Sequence, residues 1–533
     1  MRKISRLTHF VALLLLLASC KEEAPPTQMA FPDSATPPTL EFQQETHEVS
    51  PASSDDKRAP DKFNDQGPGK FLLTGADQGL PPELAPLSQP WTGDFDGMIT
   101  RRVVRVLTVF QLGGYFLDGP REKGMTYDLV KLFETFLNER LDTGHVKLHV
   151  VLIPVEFDQL LDGLIQGYGD IAAAGLSITS QRDERVDFGL PLSREIKEVV
   201  ITGPAAPVID ELDDLSGQSI HIKPGSSYRE SLEQLNERFR SAGIADVEIL
   251  DAPPLLQDVD LLEMVSAGLL PMIVMDDYKA RFWAEILDGL KVREDLVIQS
   301  GRQIAWAFRE NSPLLAAEVN EFTRTHRQGT LMGNILIKRY LKNTKWVNNA
   351  LDPAEIGRFR DTLDIFRRYA GEYGFDYLML AALGYQESRL DQSVRSSTGA
   401  IGIMQLLSST ASDPNVGIPD IEKVEPNIHA GVKYLNFLRQ RYFDDPELDA
   451  FNRALLSFAA YNAGPARVRG LRRKAELAGL DPNRWFNNVE LIAAKEIGRE
   501  TVQYVSNIYK YYLAYRLISD QETARTDSQQ LLQ

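Results

Sequence analysis

A change of hydrophobic period past the middle of the chain limits its fold more than any other feature. From about Arg101 to Gly329, short apolar runs alternate with stretches of helical spacing, and beyond about Trp346 only the helical spacing persists. Val103 to Val109 reads as a buried strand. Thr126 to Leu141 reads as a helix, with Leu129, Val130, Leu132, Phe133, Phe136 and Leu137 at helical spacing. Strand Val146 to Ile153, helix Phe157 to Ile165 and strand Ile171 to Ala174 follow, so an α/β unit with a largely parallel sheet is predicted. The pattern repeats after a crossing segment at Glu198 to Ile201, with strands at Ser219 to Ile222, Val247 to Leu250 and Met272 to Met275 and a helix at Ser227 to Phe239. Two α/β lobes are therefore expected. Gln303 to Phe308 reads as a strand returning to the first lobe, followed by a helix from Pro313 to Gly329. Helices are predicted at Pro353 to Tyr373, Tyr377 to Glu387, Ile428 to Tyr442, Asn452 to Tyr461 and Ala493 to Ile518, an all-α unit. With 533 residues the chain exceeds a single core, which stops growing near roughly 250 to 300 residues. The expected domains are a two-lobed α/β domain at residues 99–345 and an all-α domain at residues 346–533.

The formal net charge of −17 argues against nucleic acid and anionic membrane surfaces as partners, because phosphate-binding proteins present a basic face. Cys20 is the sole cysteine, which excludes an intramolecular disulfide and a cysteine-based zinc site. The seven histidines show no metal spacing, and no cofactor is implied. Residues 21–98 are rich in Pro, Ser, Thr, Asp, Glu and Gln without an apolar period, and read as a disordered tether. Ahead of it lie basic Arg2, Lys3 and Arg6, an apolar run from Val11 to Leu17 too short to span a bilayer, and small residues Ala18 and Ser19 before Cys20. This segment, residues 1–20, resembles a bacterial lipoprotein signal peptide. The resemblance implies a mature chain lipidated at Cys20, and Lys21 in place of Asp implies the periplasmic face of the outer membrane. Each buried methylene of such an anchor contributes about 0.8 kcal/mol.

In the first domain, Asp170 to Leu192 (DIAAAGLSITSQRDERVDFGLPL) resembles the diagnostic stretch of periplasmic solute-binding proteins of the polar-amino-acid class. Gly124-Met125-Thr126-Tyr127-Asp128-Leu129 matches that family's G-x-x-Y-D-L helix start, and Gly217 to Ser227 resembles the opening of its second lobe. The resemblance covers about residues 100–345 and places Arg182 where the family clamps a ligand carboxylate. A planar guanidinium suits that task, because it can donate two parallel hydrogen bonds. Asp276 matches the amine partner, with Asp277 beside it as the alternative. The ligand implied is an amino acid or small peptide, such as a cell-wall fragment, whose binding closes the lobes and regulates the second domain.

In the second domain, Tyr385-Gln386-Glu387-Ser388-Arg389 ends a helix whose apolar residues Leu378, Met379, Ala382 and Leu383 point inward. A carboxyl at such a junction of core and cleft is partly desolvated, which raises its pKa toward that of a general acid. Ser396 and Gly399-Ala400-Ile401-Gly402-Ile403-Met404-Gln405 follow, then Ala459-Ala460-Tyr461-Asn462-Ala463-Gly464-Pro465, then Glu500-Thr501-Val502-Gln503-Tyr504-Val505. The four ordered blocks resemble the soluble-lytic-transglycosylase family, a lysozyme-like fold, over about residues 355–515. The family's common proline after G-x-M-Q is absent here, where Leu406-Leu407 stands.

The resemblance implies that Glu387 protonates the glycosidic oxygen between N-acetylmuramic acid and N-acetylglucosamine in peptidoglycan glycan strands. Glu387 then accepts the 6-hydroxyl proton as a 1,6-anhydro ring closes. Tyr461 and Asn462 are expected to hold the acetamido group, Met404 to pack on a sugar face, Gln405 and Ser396 to donate to substrate or to Glu387, and Tyr504 to bond near the scissile link. Glu500 is either a partner of Glu387 or a solvated glutamate at a helix start. Two other readings remain open: a goose-type lysozyme that hydrolyses the same bond, and a non-enzymatic receptor that binds glycan or solute.

Overall fold

A computed structural model of the chain describes residues 87, 89–254, 256–350 and 353–531. The expected signal segment, Cys20 and most of the expected tether lie outside the described residues. Secondary structure begins earlier than the sequence suggests, with a helix at Phe95–Arg101. Asp94 explains the early start: its carboxylate accepts from Phe95 N at 2.7 Å and from Leu314 N and Leu315 N at 2.9 and 3.0 Å, and Phe95 and Met98 enter the core.

Among the described residues, twelve strands build the α/β unit: β1 Val103–Thr108, β2 Phe116–Asp118, β3 Arg121–Lys123, β4 His149–Pro154, β5 Ile171–Ser177, β6 Asp187–Phe188, β7 Ile196–Thr202, β8 Ser219–Ile222, β9 Glu248–Asp251, β10 Met272–Asp276, β11 Lys291–Arg302 and β12 Ile304–Phe308. The first sheet runs β4-β1-β5-β12-β6, with β1 parallel to β4 and β5 and the returning β12 antiparallel to β5. The second runs β11-β7-β10-β8-β9, with β10 antiparallel to β7 and parallel to β8. The chain thus passes between the lobes twice, after β6 and again between β11 and β12. Asp170, fully buried at the head of β5, accepts from Arg105 N at 2.7 Å and pairs with the Arg105 guanidinium at 3.0 Å, which fixes β5 beside β1. A charge pair so placed is tolerated because its remaining hydrogen bonds are met: Arg105 also donates to the carbonyls of Gln89, Trp91 and Gly167.

The described residues divide into two compact units, and the break falls between Phe359 and Arg360 rather than at the expected 345/346. Trp346 supplies the reason. Expected to open the helical domain, it is instead buried in the α/β unit, stacked on Phe282 at 5.6 Å and tilted against Phe116 at 5.1 Å. Residues 513–531 of the last helix, Arg499–Leu531, also group with that unit.

The other unit, residues 360–512, is helical. Phe366, Leu380, Leu383, Leu435, Leu455, Phe458, Trp485 and Ile508 are among the buried residues that fill it. The Tyr377–Ser388 helix starts at Asp376, whose carboxylate accepts from Leu378 N at 2.8 Å. Leu378 through Gly384 are all buried, so this helix is apolar on every side and runs through the core. No described helix is long and apolar enough to cross a membrane.

Candidate active site

The buried Tyr377–Ser388 helix ends in a strained turn, and Tyr385, Gln386 and Glu387 just before it are only half-buried. Arg389 and Leu390 both take left-handed backbone conformations, with φ of 59° and 61°. Each such non-glycine residue costs on the order of 1 kcal/mol or more, a strain often found at functional sites. Two residues before the turn, half-buried Glu387 accepts a short hydrogen bond from the Tyr504 hydroxyl. Burial pushes the Glu387 carboxyl up to about 8, while the Tyr504 bond pulls it down. The carboxyl is therefore predominantly protonated at neutral pH and can both give and take a proton near it.

Ser388 ties this helix end to the glycine-rich turn. It is buried and donates to Ile403 O at 2.9 Å. Asn427, fully buried on the Val424–Tyr442 helix, accepts from Met404 N at 2.8 Å and donates to Ile401 O at 2.8 Å, while Gln392 accepts from Ile403 N at 3.2 Å. Gly402, at φ 75°, is required here: a Cβ would lie 2.4 Å from the Gln392 amide and 2.7 Å from Asn427 Nδ2. Sequence reasoning missed Ser388, Gln392 and Asn427, because their partners are backbone atoms far along the chain and no local motif marks them.

Several expected site residues are placed differently from expectation. Met404 does not present a sugar-facing surface: it is fully buried, its side chain filling the space over Gly431, where a Cβ would lie 2.6 Å from it. Tyr461 is also buried, and its hydroxyl donates to Met404 O at 2.8 Å, so it props the turn. Gln405, at φ 43°, folds its amide back to donate to Gly402 O at 2.8 Å, and its buried Oε1 has no hydrogen-bond partner among the described residues. Ser396 accepts from Ala400 N and meets Thr398 Oγ1, both at 2.9 Å, which closes the turn's outer end. Asn462 Oδ1 accepts from Thr501 at 2.7 Å, while its buried Nδ2 likewise finds no partner among the described residues. Thr501 and Tyr504, three apart on one helix, thus reach Asn462 and Glu387 respectively. Glu500, one residue away, is exposed on the first helical turn.

In the α/β unit, Arg182 is buried beside the Phe157 ring, with its carbon centre 6.0 Å from the ring centroid. Its guanidinium donates to Ser177 O of its own lobe at 2.7 Å and to Gly225 O of the other lobe at 2.8 Å. Asp276 is buried at the end of β10 and pairs with Lys279 at 3.3 Å. Asp277 instead pairs with Arg281 at 2.8 Å.

Two family models match the chain in succession. Residues 115–342 match the bacterial extracellular solute-binding proteins, family 3, and residues 364–479 match the transglycosylase SLT domain. Several relatives that match most of this chain are named membrane-bound lytic murein transglycosylase F. A membrane-bound lytic murein transglycosylase F of Desulfosudis oleivorans is 28% identical over 76% of this chain and 88% of its own length. One from Pseudomonas fluorescens is 28% identical over 83% of this chain and 88% of its own length. The chain thus carries a family 3 solute-binding domain followed by a transglycosylase SLT domain, and is similar over most of its length to proteins named membrane-bound lytic murein transglycosylase F.

Solved structures similar to the α/β unit include an ancestral arginine-binding protein bound to arginine, 20% identical, covering 45% of this chain and 98% of that one at a TM-score of 0.38. The substrate-binding protein of an amino acid ABC transporter is 19% identical, covering 45% of this chain and 100% of that one at a TM-score of 0.37. The SLT match contains Glu387, Ser396, Met404, Gln405, Tyr461 and Asn462. Tyr504 lies beyond its end.

Proposed function

We propose that this protein is a peptidoglycan lytic transglycosylase that cleaves the β-1,4 bond between N-acetylmuramic acid and N-acetylglucosamine and leaves 1,6-anhydromuramoyl ends. The observation that carries the reading is Glu387, a carboxyl held largely neutral at pH 7 by burial, hydrogen-bonded to Tyr504 within an SLT domain. Neutral Glu387 protonates the glycosidic oxygen as the bond breaks. Its conjugate base then accepts the proton of the muramoyl 6-hydroxyl, whose oxygen attacks the anomeric carbon, so no water is consumed. Between these steps the sugar's own acetamido oxygen stabilises the anomeric carbon, and no second carboxylate is needed.

In this proposal the unpartnered Asn462 Nδ2 donates to the substrate's acetamido carbonyl, and Gln405 Oε1 accepts from a sugar hydroxyl. Both are buried polar atoms whose desolvation cost a bound glycan would offset. Ser396 contacts substrate at the turn's outer end. Tyr461 and Met404 act beneath the glycine-rich turn, which they hold in shape.

The proposal extends to the rest of the chain. The relatives are named membrane-bound, and the N-terminal sequence supports an anchor on the periplasmic face of the outer membrane through lipidated Cys20. The α/β domain, from residue 99 to about residue 359, is a regulatory domain for an amino-acid or cell-wall-peptide ligand bound near Arg182 and Asp276, followed by the catalytic domain. Digestion of purified sacculi tests the catalytic reading: mass spectrometry finds products lighter by one water than those of a lysozyme. Products with free reducing ends would replace it with the goose-type hydrolase, and an inert wild type would remove the enzyme.

A further inference from the structure

The amine-recognising carboxylate of the α/β unit already holds an ammonium of the chain's own. Lys279 Nζ lies 3.3 Å from Asp276 Oδ2 and 3.0 Å from Asp258 Oδ2. Both acids and the lysine belong to the second lobe. On the first lobe, Arg182 is capped in the same internal fashion by the Gly225 carbonyl. Gly225 packs so tightly that a Cβ on it would lie 2.6 Å from Asp158 Cα. Arg182 and Asp276, the pair that would grip the two ends of a zwitterion, are thus each met by a group of the protein itself.

Lys279 also borders open space. With Asp258 it lines a cavity of about 730 Å³, whose other walls include the apolar Leu129, Trp283, Trp306 and Leu336. An ammonium has three donor hydrogens; two meet carboxylates here, and the third has no acceptor among the described residues. Its pKa is raised by Asp258 and its neighbours against the effect of burial, so it stays charged. A ligand bringing its own ammonium would meet a carboxylate whose Oδ2 is already paired with this cation, with only the buried Asp276 Oδ1 left without a partner among the described residues. One bringing a carbonyl or carboxylate oxygen and an apolar body would find a donor and an apolar wall.

We propose that Lys279 substitutes for the ligand ammonium, so that the cavity excludes free α-amino acids and takes N-acylated amino acids or acylated peptide ends through an oxygen on Lys279. This rests on the reading of the domain as a ligand receptor and specifies which class of ligand it takes.

Isothermal titration of the full chain with L-phenylalanine and N-acetyl-L-phenylalanine, and with the matching leucine pair, tests it. The acetylated member should bind at least tenfold more tightly. Lys279→Met should reverse the order by exposing Asp276 to the free ammonium, and Lys279→Gln is a second neutral variant should the first not fold. Wild type binding the free amino acid as well as or better than its acetylated form, or neutral variants that keep the wild-type order, would overturn the inference and leave the receptor standing. Absence of binding by either class to wild type and folded variants would overturn the receptor and the inference together.

Discussion

The Tyr504 hydroxyl donates to Glu387 Oε1 across a separation of 117 residues, joining the end of one helix to the first turns of another. The bond gives the acid a fixed direction. It also opposes the burial that raises the carboxyl's pKa, so the two effects together set where the acid titrates.

Glu387→Gln keeps the shape of the side chain and removes its proton chemistry. Release of anhydromuramoyl products from sacculi should fall by about 10² to 10⁴-fold or more, with an unchanged circular dichroism spectrum. Turnover near the wild-type rate would exclude Glu387 as the acid.

The same substitution should stabilise the protein at neutral pH. A carboxyl whose folded pKa is raised favours folding below its unfolded value near 4.5, and that contribution is lost as pH rises toward about 8. At about 1.4 kcal/mol per pH unit, the variant should gain roughly 3 kcal/mol over wild type at pH 7 and little at pH 4. Denaturant melts at the two pH values measure the difference.

Loss of activity in alkali follows from the same group. The acid form of Glu387 disappears above pH 8, so turnover should decline there. Tyr504→Phe removes the hydrogen bond that favours the ionised form, and its alkaline limb should move to higher pH. A limb that stays in place would mean that another group sets it.

Gly402→Ala should damage both stability and turnover. The new methyl meets Gln392 and Asn427 at a left-handed φ, and the cost should exceed about 2 kcal/mol. Thermal melts and product release, compared with Gly399→Ala, where a Cβ meets nothing within 4 Å, separate the collision from the backbone effect they share.

Much of this architecture was readable because period and burial agree. The β1 run Val103–Thr108 and the β10 run Met272–Asp276 are almost wholly buried, and apolar runs bounded by turns announce such strands. β11 escaped notice because Lys291–Arg302 is charged, half exposed and broken by register shifts against β7. In the helical unit the order of the motif blocks located the turn and the acid-bearing helix. It did not disclose side-chain direction: Met404 turns inward over Gly431, and Gln405 folds back through a positive φ. Those outcomes depend on Asn427 and Tyr461 gripping the backbone at Met404, contacts between segments that no local pattern encodes.

Trp346 has a practical meaning for anyone dissecting the chain. A receptor fragment ended at residue 345 would lack the indole that sits against Phe282 and Phe116, leaving a void worth about 3 to 5 kcal/mol in a unit that must stand alone. The residue expected to open the second domain is a structural plug of the first, and a working gene fragment has to carry it.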